Sequence, residues 1–246
     1  MDLVAYTGLA APWLAIVGLI IVAAAIVQLG LGMGFGLTAA PLLALIDPEL
    51  VPGPTLVLGM LSATWGALVE RDAIRWSEVG IGTIGRTAGA AAAAGVLSVL
   101  ADPRSFTLVF GLMVALAVAM SAVGRRIAFT LPRLVGMSAL SGLMATITSV
   151  GAPPLALIYQ DRPAGEARPT LAAFFAIGCV IAFASLWLSG HAGPRDVALA
   201  GLMLPPMLAG IVVARSLRGR FDRRYRPALL GVSGLAAVLL IARGLS

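Results

Sequence analysis

Ten apolar runs divide this chain almost from end to end, and their lengths constrain its fold more than any other feature. They cover approximately residues 12–30, 35–46, 54–69, 77–100, 106–123, 133–148, 152–160, 169–189, 197–214 and 227–245. A helix needs roughly 20 residues to cross the hydrocarbon core of a bilayer. Most of the runs reach or approach that length; 35–46 and 152–160 are too short to span alone. Short charged or Pro/Gly-rich connectors separate most of them, so the 246 residues leave no room for a soluble domain. Only 11% of the residues are charged, against about a quarter in a soluble domain. The fold class this implies is an all-α polytopic membrane protein. The opening "MDLVAYTGLAAPWL" carries Asp2 and no basic residue. It lacks the positive n-region of a secretory signal, so the first helix is expected to be retained.

The chain repeats itself. "APLLALI" at 40–46 matches "APPLALI" at 152–158, and "PTL" at 54–56 recurs at 169–171. Gly89 answers Gly210, and "FG" at 110–111 answers "LG" at 230–231. The matches keep their order, which divides the chain into repeats at 1–124 and 125–246. The 17 basic residues, all arginine, then decide the topology. If the two short runs do not cross the membrane, each half crosses four times and the loop arginines divide 9 to 7. If each short run completes a crossing, each half crosses five times. One side then holds Arg71, Arg75, Arg125, Arg126, Arg133, Arg162, Arg168, Arg215, Arg218, Arg220, Arg223, Arg224 and Arg226, and the other Arg104, Arg195 and Arg243. That 13 to 3 split is the one the positive-inside rule favours. Five is odd, so the second half enters from the opposite side. The expected architecture is two inverted five-segment repeats whose short or broken helices meet near the bilayer midplane, a design that recurs in secondary transporters.

Two breaks interrupt the apolar pattern. In "GLGMGFGLTAAPLLALID" (30–47), glycines alternate through the run. In "TSVGAPPLALIYQD" (148–161), Gly151 precedes two prolines. A helix that restarts after such a break presents backbone N–H groups without intrahelical partners, at the positive end of its dipole. A small anion is held there without a charged side chain. In the first break Gly32, Gly34 and Gly36 would let the backbone turn, Thr38 adds a hydroxyl, and Pro41 suits the start of the new helix. In the second, Thr146, Thr148 and Ser149 supply hydroxyls, Gly151 the turn, and Pro153 and Pro154 the helix start. The same glycines would also allow close helix packing, as small residues do in membranes.

Arg86 stands near the centre of the run 77–100. A guanidinium at that depth is costly and faces a cavity or a partner. No acidic residue occupies a central membrane position to pair with it, so an anionic substrate could supply the counter-charge; snorkelling or bonds to carbonyls at a helix break are the other readings. Gln28 and Gln160 flank the breaks and suit a role tying loose backbone ends. Glu70, Asp72 and Glu78 fall at helix ends and read as solvated. The run "RSLRGRFDRRYRP" reads as a cytoplasmic topology determinant in contact with anionic lipid, not as a nucleic-acid site. Cys179, the single cysteine, excludes a disulfide framework. One histidine, His191, makes a poor metal site. There is no HExxH, GxSxG or pair of intramembrane aspartates, which argues against an enzyme.

The segment "GLGMGFG…APLL", its counterpart "SVGAPPLALI" and the duplicated layout together resemble the TauE/SafE family of sulfite exporters, over nearly the whole chain. That resemblance implies a multi-pass protein of the cell inner membrane that transports sulfite, sulfonates or sulfoacetate-type anions by alternating access. A coupling ion, proton or sodium, would accompany the substrate, and no cofactor or metal is implied. A passive anion channel, or a transporter of other small organic anions, is the alternative. The second break departs from a more typical "GxxGxxGPP": "GLMATITSVGAPP" keeps Gly142, Gly151 and both prolines but puts Thr146 in the middle.

Overall fold

The computed structural model describes residues 7–31, 33–100, 102–123, 127–216 and 225–246. Gly32, Arg125, Arg126, Arg218, Arg220, Arg223 and Arg224 lie outside the described residues. Ten α-helices and no strands occur among those described: α1 (Ala11–Leu31), α2 (Phe35–Ile46), α3 (Gly53–Val69), α4 (Trp76–Val99), α5 (Pro103–Val123), α6 (Leu131–Thr148), α7 (Ala152–Tyr159), α8 (Ala164–Leu188), α9 (Pro194–Ser216) and α10 (Tyr225–Leu245). Among the described residues, six stretches are long and apolar enough to cross a membrane: those of α1, α3, α5, α8, α9 and α10. The windows of α5 and α10 are only 22% buried, so most of their apolar surface is left for lipid. Leu19, Leu68, Ile84, Leu188 and Val212 are among the large apolar side chains turned outward.

Helix starts follow ordinary capping chemistry. Asp102 accepts from the Ser105 N–H at 3.1 Å just ahead of Pro103. Thr130 accepts from the Arg133 N–H ahead of α6. Each supplies an acceptor to a donor the helix itself cannot satisfy.

Four helix pairs form the body of the bundle: α4 with α6, α1 with α9, α3 with α8, and α5 with α10. Exchanging each of the first five helices for its counterpart in the second five leaves that set of pairs unchanged. The α4–α6 contact is backbone on backbone. A Cβ at Gly85 or Gly89 would collide with the Val135 or Ala139 carbonyl, and one at Gly142 with the Arg86 carbonyl. Gly210 plays the matching part on α9, where a Cβ would lie 2.7 Å from Val22 O on α1. Small residues allow such close approach where no water drives helices together. The likeness is partial. A Cβ at Gly111 would meet Ile241, whereas Gly231 faces open space.

Ion pairs gather the connectors at two ends. At one end Arg75 reaches Glu166, Arg162 reaches Glu78, and Arg168 reaches Glu70. Arg215 lies over the Trp65 ring there, 4.9 Å from its centroid. At the other end Arg195 pairs with Glu49, and Asp196 packs against Gly53.

Pro41 departs from the sequence expectation. It is the seventh residue of α2 and well inside it, not near its start. A proline there cannot donate to the carbonyl four residues back. That carbonyl, Leu37 O, accepts instead from the buried Ser233 hydroxyl of α10 at 2.8 Å.

Candidate functional site

The two breaks meet. Gly34, which caps α2, has φ 111°, a left-handed conformation open to glycine and strained for other residues. Ser149, which caps the end of α6, is also left-handed, at φ 63°. Its carbonyl lies so close to Gly36 that a Cβ there would collide with it. Ser149 Oγ donates to Pro52 O at 2.9 Å and pins the second break to the α2–α3 connector.

Each restarted helix leaves few donors open. In α2 the Gln28 side chain accepts from the Phe35 N–H at 3.1 Å, which is the tying role expected of Gln28. The first backbone bond of α2 runs from the Thr38 N–H to Gly34 O. The N–H groups of Gly36 and Leu37 therefore have no partner within the helix. In α7 the residues after Ala152 are Pro153 and Pro154, which have no N–H. The N–H groups of Gly151 and Ala152, at the start of α7, have no partner within the helix.

Between the breaks is a cavity of about 40 Å³. Gly34, Phe35, Gly36 and Leu37 line it from the first break, and Ala145, Ser149, Gly151 and Ala152 from the second. Thr55, Leu56, Gly59 and Ala63 of α3, and Phe175 and Cys179 of α8, close it laterally. Gln28 and Arg86 complete the wall. Gly36, Leu37, Gly151 and Ala152, whose N–H groups have no partner within their helices, all line this space. A water needs roughly 10–15 Å³ on this measure, so the space suits a compact ion and not a long chain.

Arg86 is 1% exposed. Its Nη1 donates to Ser141 Oγ at 2.8 Å, and Ser141 Oγ donates to Gly151 O at 2.5 Å. Its guanidinium carbon lies 5.3 and 5.7 Å from the Phe174 and Phe175 ring centroids, within cation–π range. Gly178 lies directly beneath it, with no room for a Cβ. Among the described residues no carboxylate lies within 4 Å of it, and Arg86 Nε has no hydrogen-bond partner. A guanidinium carries five N–H donors, and one is used. Burying a cation without a counter-charge is strongly unfavourable, so the arrangement favours occupancy by an anion.

Of the residues named from sequence, Gly34, Gly36, Arg86, Ser149 and Gly151 come together around the cavity. Gly32 lies outside the described residues, and Thr38, Pro41, Thr148 and Pro153 do not line it. Thr38 returns its hydroxyl to Gly34 O, and Thr148 donates to Met144 O while accepting from Val150 N–H, so both hydroxyls serve their own helix ends. Pro41 and Pro153 are buried in their helices. Gln160 donates to Leu157 O at its own helix end. Glu78 is not solvated: it is 8% exposed and accepts from Tyr159 and Arg162. The lateral wall of α3 and α8 gave no signal in the sequence beyond the recurring "PTL", whose Thr55 lines the cavity.

The sulfite exporter TauE/SafE family profile matches residues 17–240. The chain belongs to the TauE/SafE family. No curated protein and no solved structure matches it. Membership of this transporter family, with six apolar helices of spanning length, makes the chain a multi-pass membrane protein of the sulfite and sulfur-anion exporter type. The match covers both breaks, all of α2 to α9, and the whole cavity wall.

Proposed function

We propose that this TauE/SafE protein is a secondary transporter of the cell inner membrane that carries a small sulfur oxyanion by alternating access. The anion sits between the N-termini of α2 and α7 and against Arg86. One observation carries the reading: a fully buried guanidinium with no carboxylate beside it lines a small cavity that also receives the open N–H groups of two helix starts. Helix N-termini bind oxyanions through backbone donors and dipole, and guanidinium geometry suits them.

Two further observations support the inverted five-crossing arrangement. The four helix pairs are preserved when the halves are exchanged. The connectors 70–78 and 161–168 are joined by three ion pairs, and 47–53 meets 193–196 at the other end. In a four-crossing arrangement 70–78 and 161–168 would lie on opposite sides of the membrane.

The test is sulfite movement into sealed proteoliposomes, with and without an imposed proton gradient, for wild type, Arg86→Ala and Arg86→Lys. We expect concentrative movement by wild type. Losing a charge-assisted hydrogen bond, roughly 1.5–3 kcal/mol, should weaken binding by about one to two orders of magnitude in the alanine variant. Lysine should recover only part of this. Unchanged affinity in Arg86→Ala would leave binding to the helix N-termini alone. Movement that never exceeds equilibrium under any gradient would make the protein a channel.

A further inference from the structure

Besides Arg86 Nε, one other buried side-chain polar atom among the described residues has no hydrogen-bond partner: Ser138 Oγ, on a residue with no exposed surface. Orphaned polar atoms of this kind are rare, and the two lie along one line. Glu78, Gly82 and Arg86 are spaced four apart on α4 and so share a face. Each step is about 6 Å along the axis. Ser138 on α6 stands opposite Gly82, where a Cβ would lie 3.0 Å from Ser138 Oγ and 2.6 Å from Phe174 Cε2. Phe174 therefore stands beside both the Arg86 guanidinium and the Gly82–Ser138 level. One level further, Glu78 accepts from Tyr159 Oη at 2.7 Å and from Arg162 at 3.1 Å. That cluster stands at the arginine-rich end, beside the Arg75–Glu166 and Arg168–Glu70 pairs.

We propose that the anion's route between the cavity and the arginine-rich end runs past Ser138 along the α4–α6 face, plugged by Phe174 and gated by the Glu78–Tyr159–Arg162 cluster. The inference deepens the transport reading and rests on it. Ser138 and Arg86 each keep a donor unspent because the passing anion uses it. Gly82 supplies the width, since any larger residue would fill the lane. The phenyl ring at 174 stacks on the guanidinium while the lane is shut and must swing aside to open it. The ion-paired cluster then has to part. Nothing similar lies in the matching stretch of α9, "LMLPPMLAG", so the lane belongs to one half only.

The experiment is thiol labelling of Ser138→Cys in sealed vesicles of defined orientation with the anionic reagent 2-sulfonatoethyl methanethiosulfonate. The labelled site is read by peptide mass spectrometry, so the native Cys179 stays in place. Met144→Cys, equally buried but in the apolar core, is the comparison. We expect Ser138→Cys to be modified from the arginine-rich end, several-fold faster when Phe174→Leu is added, and Met144→Cys to stay unmodified. Absence of labelling from either side, or labelling only from the opposite end, would overturn the route. If the cysteine variant does not fold, Ser138→Ala decides. We expect slower maximal transport with unchanged sulfite affinity; unchanged transport would overturn the route. Labelling in a protein that moves no sulfite would leave the lane standing and remove the transport reading. Transport without labelling would do the reverse.

Discussion

Gly178→Ala tests the Arg86 site without touching the arginine. A methyl group at 178 would lie 2.6 Å from Arg86 Cδ and closer still to Nε and Cζ. Carbon atoms in good contact stand about 3.5–4.0 Å apart, so the guanidinium must shift by about 1 Å. The Arg86–Ser141 bond, now 2.8 Å, would then approach or pass the length at which a hydrogen bond ceases to count. Misplacing one charge-assisted donor costs roughly 1.5–3 kcal/mol, or about a tenfold to hundredfold weaker dissociation constant for sulfite. Overpacking of this kind costs about 1–3 kcal/mol of stability, so the variant should melt lower yet remain folded. Titration calorimetry on purified protein gives the affinity, and a thermal-shift scan the stability. The cycle with Arg86→Ala isolates the cause, because neighbouring substitutions that act through one group are not additive. In the alanine background Gly178→Ala should change affinity no further. A full loss of affinity on top of Arg86→Ala would refute the reasoning, as would wild-type affinity in the single variant.

Other expectations follow from the same contacts. Gly36→Ala puts a Cβ into Ser149 O at the junction of the breaks and should sharply reduce folded yield in detergent, whereas Gly136→Ala, which meets open space, should not. Ser233→Ala strands the Leu37 carbonyl that Pro41 cannot serve and should lower stability by about 1–3 kcal/mol, read as a fall in melting temperature with little change in sulfite affinity. Gly34→Leu forces a branched side chain into a left-handed backbone and should abolish transport; near-normal flux would mean the break only serves packing. Cysteines at positions 104 and 220 should be labelled from opposite faces of the membrane, and labelling from one face would undo the crossing count.

The breaks and Arg86 were legible because they violate the rule of their surroundings. Glycine density and a mid-span charge are both costly inside a bilayer, so their presence asks for a reason. The lateral wall was not legible. Thr55, Gly59, Ala63, Phe175 and Cys179 lie in helices that are apolar on every side, since lipid and core make the same demand. No periodicity separates a cavity face from a lipid face there. Glu78 misled for a related reason. Its place near a helix start suggests solvent, while its burial depends on Tyr159 and Arg162, more than 80 positions away. Pro41 misled because its compensation lies on α10, in Ser233.

The cavity divides its labour between two kinds of atom. In the proposed site an anion's charge would be met by main-chain N–H groups at Gly36, Leu37, Gly151 and Ala152 and by one arginine, while side chains of α3 and α8 would set its size. Main-chain donors survive substitution of the residues that carry them wherever the backbone path is kept. The residues at 55, 56, 59, 63 and 179 carry no such burden. Exchanges there would widen or narrow the chamber while its preference for anions persists. If the proposed site holds, a lineage built on this plan could change cargo by small steps in two helices, passing through intermediates that still bind an anion at every stage.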